Sequence, residues 1–360
     1  MRSLFLISLC FFSTSLFAQD ILPQNTAGPN CHSLHVAYSE NGGNSYNQIA
    51  NGIISSASVP DAVRFKDENL IYYVNGDFDN HSIYVSEIGN DGKSSKVLGP
   101  ITLDGNIIKD AVDPDVIVTP DGRLRLFYYV GLFTKPVTYP KPNKFYSAIS
   151  DDGINFTIEG VVTELDNSTD PTVVRLKDGS YLLAIPQAKE LKITILRSLD
   201  GYKFQEITSI RGGIPELAIN SDGNPEILFQ DQQGMVRQTS TDFGNTWKTD
   251  KKNVLINGLV GAASPSILKI SEQKRFLYYF SAKKGCTTDP TAYLEDKNSL
   301  DVVKKDSWRG LSKLLSRGYS LELKENKTRV IGLDNDGGLS VLIEGEKTQV
   351  QSIEKLTWLF

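Results

Sequence analysis

Five acidic side chains recur at one place in a repeat. They are Asp61 in Val59-Pro60-Asp61, Asp113 and Asp115 around Pro114, Asp170 before Pro171, and Glu216 after Pro215. Acids brought together repel, so at least one of them must hold its proton more tightly than usual. A protonated carboxyl beside an ionised one is the equipment of general acid/base work. Breaking a glycosidic bond uses such a pair, one on either side of the bond. The competing reading is that each acid only shapes the start of a strand, or that the group holds a cation.

The elements that must position these acids are legible as a repeat. The prolines of the x-Pro-x segments, Pro60, Pro114, Pro171, Pro215 and Pro265, step by 54, 57, 44 and 50 residues, the spacing of propeller blades. Each segment leads into an apolar run, a polar turn and a second run rich in β-branched and aromatic residues, such as Leu124 to Val130 and Phe276 to Phe280. Three of the turns carry Asp-Gly, the strongest short hairpin signal: Asp121-Gly122, Asp178-Gly179 and Asp222-Gly223. A third feature is a Ser, then a Gly/Asp/Asn turn, then an aromatic. It is clearest in Ser240 to Trp247 and weaker at Ser39 to Tyr46, Ser150 to Phe156 and Ser198 to Phe204, with a degenerate fifth at Ser86 to Ser95.

The first copy of that turn precedes the first x-Pro-x segment, and the last x-Pro-x segment has no copy after it. The N-terminal strands are therefore expected to complete the last blade and close the ring. The fold class is all-β: a five-bladed β-propeller over 31–285, closed by the N-terminal strands, with a C-terminal extension or cap over 286–360. Cys31 and Cys286 flank the two strands expected to pair in the closing blade, and an exported chain permits a disulfide between them; two unpaired thiols are the alternative. In 286–360 a short helix is expected over Ser299 to Leu315, followed by alternating strands around Asp336-Gly337-Gly338.

On this plan the innermost strands all begin at one mouth of the central channel. Side chains alternate along a strand, so the residues flanking each proline should share a face. Asp61, Asp113, Asp115, Asp170 and Glu216 then converge, with Thr172, Ser264 and Ser266 completing the circle. Candidate substrate ligands lie in the loops of that face: Phe133 and Tyr139 with Lys135 and Lys144, then His81, Gln187 and Gln230. An ordinary Pro-rich loop is the alternative for the first group.

Residues 1–18 read as a cleaved signal peptide, with Arg2 before a short apolar run and Leu-Phe-Ala before the cut. A secreted or periplasmic location follows, and no later apolar run is long enough to span a membrane. The net charge of −5 is spread along the chain, which argues against a nucleic-acid partner. Three scattered histidines give no metal-site spacing. No cofactor is expected beyond a structural calcium. The chain is expected to act as a monomer on carbohydrate.

The stretch Asp170 to Tyr181 and the segment Val59 to Arg64 resemble the inner strands of the five-bladed propeller glycoside hydrolases of family 43. The resemblance covers about Ser33 to Lys284. It implies Asp61 as general base, Asp170 as the residue that tunes and orients, and Glu216 as general acid, with Asp113 or Asp115 as substitutes for the acid. It also implies a hydrolase acting on a polysaccharide or oligosaccharide, by inversion. The chain departs from the family pattern at two points. Asp61 follows its proline where the family opens with Asp-Pro, and Glu216 follows Pro215 where the family's acid precedes Gly-Pro. The turn at Ser240 also resembles the Asp-box of sialidases, a structural hairpin. A sialidase-like exo-glycosidase is a weaker alternative, because the Arg-Ile-Pro of that family is missing. A non-catalytic carbohydrate-binding propeller is the alternative from another class.

Overall fold

The computed structural model describes residues 31–76, 82–109, 111–130, 142–187, 190–231, 234–259 and 262–282, and the backbone of three further strands between 321 and 346. No α-helix occurs among the described residues. Blade one is β3 (Ala57–Phe65), β4 (Glu68–Asn75), β5 (Ile83–Ile88) and β6 (Ser95–Pro100). Blade two is β8 (Ala111–Val118), β9 (Leu124–Val130), β10 (Asn143–Ser150) and β11 (Asn155–Leu165), with the short β7 (Thr102–Leu103) parallel on its rim. Blade three runs β12 (Thr172–Arg175), β13 (Tyr181–Gln187), β14 (Lys192–Ser198) and β15 (Gln205–Arg211). Blade four runs β16 (Pro215–Ile219), β17 (Pro225–Asp231), β18 (Gly234–Thr239) and β19 (Lys248–Lys251).

Blade five is where the ring closes. Its inner strands are β21 (Ala263–Lys269) and β22 (Arg275–Ala282), and its outer strands are the N-terminal β1 (His32–Ser39) and β2 (Tyr46–Ser55), with β20 (Leu255–Ile256) beside β2. β1 lies antiparallel to β22 from His32 opposite Ala282 to Ser39 opposite Arg275. The five-bladed architecture and the N-terminal closure expected from the sequence are both present. β23 (Leu321–Leu323), β24 (Lys327–Leu333) and β25 (Leu339–Glu346) form a sheet of their own. The expected helix at Ser299 to Leu315, the signal peptide and Cys286 lie outside the described residues.

The core consists of one apolar layer between each pair of neighbouring blades. Leu70, Tyr72 and Val85 meet Leu124, Leu126 and Tyr128 between blades one and two. The layer between blades four and five sets Leu228 and Met235 against Tyr46, Leu277 and Tyr279. A middle strand is covered on both faces, so it reads as a continuous apolar run, as in the wholly buried β13. The outermost β19 is exposed along its whole length.

The Ser-led turns lock these layers at the face opposite the x-Pro-x segments. In four of them the serine hydroxyl bonds the side chain two residues on and accepts a glycine N–H: Ser150 with Asp152 and Gly153, Ser198 with Asp200 and Gly201, Ser240 with Asp242 and Gly244, and Ser39 with Asn41 and Gly43. The fifth turn has lost the motif but not the contact. Tyr278 Oη donates to the Gly92 carbonyl at 3.2 Å, as Tyr72 Oη does to that of Gly153 at 2.7 Å. At the closing interface the buried Arg275 of blade five pairs with the buried Glu226 of blade four.

Closure by β1 predicts a contrast between two apolar truncations. Leu34 is fully buried in β1, whereas Val97 on the outer β6 is 57% exposed. Leu34→Ala should lower unfolding free energy by about 2–5 kcal/mol, and Val97→Ala by no more than about 0.5 kcal/mol, as read by chemical denaturation.

Candidate functional site

The site begins with the proline of each inner strand. Proline offers no N–H to the ladder, so pairing with the next strand must skip. The register slips between Ser58 and Asp61, between Val112 and Asp115, and between Ala263 and Ser266. In four of the five blades the residue just before the proline turns left-handed, with φ of 47° at Val59, 55° at Asp113, 50° at Asp170 and 47° at Ser264; Ile214 of blade four does not. That conformation is costly for a β-branched residue such as Val59. It also interrupts the simple alternation of faces. The residues on either side of each proline therefore do not share one face, and the single circle expected from the sequence becomes two tiers.

The deeper tier holds the residue after each proline: Asp61, Asp115, Thr172, Glu216 and Ser266. Each accepts a hydrogen bond from the backbone of the next blade. Val116 N–H donates to Asp61 Oδ2 at 2.6 Å, and Val173 N–H to Asp115 Oδ1 at 2.9 Å. Leu217 N–H donates to Thr172 Oγ1 at 3.0 Å, and Ile267 N–H to Glu216 Oε1 at 2.9 Å. Ala62 N–H donates to Ser266 Oγ at 2.9 Å and completes the circuit. The two hydroxyls pass their own protons to acids, Ser266 Oγ to Asp61 Oδ1 at 2.9 Å and Thr172 Oγ1 to Glu216 Oε2 at 3.1 Å.

Three carboxyls thus meet on the axis. One oxygen from each of Asp61, Asp115 and Glu216 lies within 4.8 Å of those of the other two, and all three residues are buried. Desolvation favours the neutral acid in each case. The Asp61 carboxyl is raised to about 6, mainly by burial, against which hydrogen bonds from Val116 and Ser266 pull. Asp115 is raised well above the ordinary aspartate value by burial and then by the charge of Asp61. Glu216 is raised likewise by burial and then by Asp61 and Asp115. All three acids therefore hold their protons to higher pH than ordinary carboxyls do, and the charge of each one raises its neighbours. The nearest oxygens of Asp61 and Glu216 lie within 4.8 Å, a close approach for the inverting pair expected of them, whose carboxyl groups would stand roughly 6.5–9.5 Å apart to admit a water.

This trio is also the one carboxylate group among the described residues compact enough to surround a cation. Its donor set argues for hydrogen bonding instead. Both oxygens of Asp61 and both of Glu216 already face an N–H or O–H, whose positive end lies where a cation would bind.

Asp113 and Asp170 stand apart from the trio in the pre-proline tier, where Asp170 N–H donates to Asp113 Oδ2 at 3.2 Å. Asp113 is buried and Asp170 half-buried. Gln187 does not present a free amide to a ligand: its Nε2 donates to the Asp166 carbonyl at 3.1 Å and its Oε1 accepts from Thr194 at 2.9 Å. Gln230 keeps a buried Oε1 with no hydrogen-bond partner. Lys144 faces Glu164 at 3.5 Å. His81, Phe133, Lys135 and Tyr139 lie outside the described residues. Sequence reasoning missed the shared bonding role of Thr172 and Ser266. The signal was a column in the repeat, since the residue after each proline is always one that can accept a hydrogen bond.

No protein-family model matches the chain, and no curated protein matches it. Solved structures do. A family 43 β-1,3-galactosidase solved with galactodeoxynojirimycin is 12% identical over 62% of this chain and 89% of its own, with a TM-score of 0.46. A family 117 glycoside hydrolase from the marine bacterium Zobellia galactanivorans is 13% identical over 75% of this chain and 99% of its own, with a TM-score of 0.45. A family 43 enzyme from Xanthomonas citri is 15% identical over 63% and 87%, again with a TM-score of 0.45. The five-bladed count stands on this chain's own strand pairing.

The trio predicts an unusual pH dependence of stability. The Asp61 pKa is higher in the folded chain, about 6 against an ordinary 3.8, so the folded state holds more protons between those values. Its stabilising share is complete below 3.8 and is lost as pH rises through about 6; Asp115 and Glu216 extend the same trend upward. The lowered carboxyls of the turns, such as Asp152, act below their ordinary 3.8 and leave this window clear. The trio's contribution to unfolding free energy should fall from pH 4 to pH 7, opposed by the buried His35, whose lowered pKa adds stability as pH rises toward 6.5. Asp61→Asn, which keeps an oxygen for Val116 N–H, should flatten that fall by on the order of 2–3 kcal/mol. Denaturant titrations at pH 4, 5, 6 and 7 check this, and a parallel fall in both proteins would contradict it.

Proposed function

We propose that this chain is an exported glycoside hydrolase whose acid/base groups are Asp61 and Glu216, acting on a polysaccharide or oligosaccharide. One observation carries the proposal. Every position of the deeper tier has the same structural job, to accept one backbone N–H, and Thr172 and Ser266 do it with a hydroxyl. A carboxyl does that job at a greater desolvation cost. Three carboxyls in five positions exceed what holding the ring requires. Burial and mutual charge raise the pKa of Asp61 and of Glu216 alike, the direction that lets one carboxyl keep its proton beside an ionised partner.

The short spacing supports retention rather than inversion. Asp61 would attack the anomeric carbon as the glycosidic C–O bond breaks, and the Glu216 proton would go to the departing oxygen. Glu216, now an anion, would then take a proton from water as that water displaces Asp61. Asp115 adds a second neutral acid that keeps a charge off the site.

A non-catalytic carbohydrate-binding propeller is favoured by the burial of the trio, with Asp61, Asp115 and Glu216 only 5%, 5% and 7% exposed. The two readings part on turnover. A screen of aryl glycosides and of plant and marine oligosaccharides should find hydrolysis, lost by about 10²–10⁴-fold in Asp61→Asn and in Glu216→Gln. NMR of the first-formed product should show the substrate's anomeric configuration. Binding without turnover, or turnover unchanged in both variants, would overturn the hydrolase assignment.

Export and closure belong to the same proposal. β1 and β22 end side by side at His32 and Ala282, which brings Cys31 to the end of the strand that leads toward Cys286. A bond between them would pin the closing blade. Intact-mass measurement of the secreted protein should show a chain lighter than the reduced form by two hydrogen atoms, restored by reductant; two alkylatable thiols without reductant would sink the idea.

A further inference from the structure

The trio contains three acids, yet one of them must be the resident anion. Asp61 differs from the other two in its donors. Val116 N–H lies on one oxygen at 2.6 Å and the Ser266 hydroxyl on the other at 2.9 Å. The hydroxyl is not free to turn its proton elsewhere at no cost, because Ala62 N–H points at its oxygen from 2.9 Å. Ser266 is completely buried, so no water competes for that proton. Thr172 has the same arrangement, but its single proton serves two acids. It lies on Glu216 Oε2 at 3.1 Å and also within hydrogen-bond reach of Asp115. Asp115 on β8, Glu216 on β16 and Tyr72 on β4 are the titratable groups that face Asp61.

We propose that Ser266 is a positioning residue that makes Asp61 the ionised member of the trio. A hydroxyl held with its proton on a carboxyl oxygen favours the anion over the protonated acid. Blade five, which brings no acid to the deeper tier, thereby decides which blade's acid carries the charge. The inference rests on the acid/base reading of the trio.

The test needs no substrate. Difference infrared titration of the folded full-length protein reads protonated carboxyls, and the band lost in Asp61→Asn assigns that of Asp61. In Ser266→Ala the Asp61 midpoint should move up by about one pH unit or more, the value of one hydrogen bond to a charged group. Ser266→Thr, which restores the hydroxyl used at position 172, should return it. If Ser266→Ala does not fold, Ser266→Cys supplies a weaker donor and should give a smaller upward shift. An Asp61 midpoint unmoved in Ala and Cys variants, or moved equally in Ser266→Thr, overturns the proposal. Failure of every sugar in the activity screen, with the titration shift intact, would remove the hydrolase reading and leave this assignment standing.

Discussion

The protein depends on one hydrogen bond made five times. A side-chain oxygen at the start of each inner strand accepts the backbone N–H of the next blade, and the circuit returns to its origin when Ala62 N–H reaches Ser266. The donors are buried amides that would otherwise be unsatisfied, each at a cost of about 1–3 kcal/mol. The apolar layers between blades supply most of the burial energy, but they are tolerant of small sliding. The circuit is not, because each bond fixes the height of one blade relative to the next. In blades one, two and five the proline prepares it by breaking the ladder just before the accepting residue.

The same bond sets the electrostatics. A carboxyl recruited to accept a backbone N–H is brought to the axis, where the acids of neighbouring blades are also brought. Geometry that stabilises the ring therefore creates the conflict among Asp61, Asp115 and Glu216. The conflict is relieved by protonation, and the acids differ in whether their hydroxyl donor is shared: Ser266 serves Asp61, whereas Thr172 divides one proton between Glu216 and Asp115. Structure and chemistry share these atoms, which is why replacing a carboxylate by its amide separates them: the amide oxygen still takes the N–H, and the proton chemistry is gone.

The blade count, the closure by the N-terminal strands and the recurring turns were legible because each rests on local chemistry repeated at a fixed spacing. Asp-Gly hairpins, Ser-led turns and apolar runs carry their own signals. The degenerate turn at Ser86 was legible only by position, and its glycine keeps the contact with Tyr278. The site was half legible. Alternation along a strand placed Asp61 and Asp113 as equivalents, and it failed because the left-handed residues Val59 and Asp113 before their prolines add a kink that no periodicity registers. Gln187 looked like a ligand until its partners Asp166 and Thr194 were seen, since only tertiary structure reveals that both ends of an amide are occupied.

The central claim is that the trio holds one ionised and two protonated acids, and the most direct measurement is the location of those protons. Neutron diffraction, or atomic-resolution X-ray carbon–oxygen bond lengths, on crystals at pH 7 would give it. The account predicts a bare Asp61 with two equal bonds, and Glu216 and Asp115 each with one long bond and a proton. Equal bonds in all three carboxyls, or a cation bound among them, would contradict it.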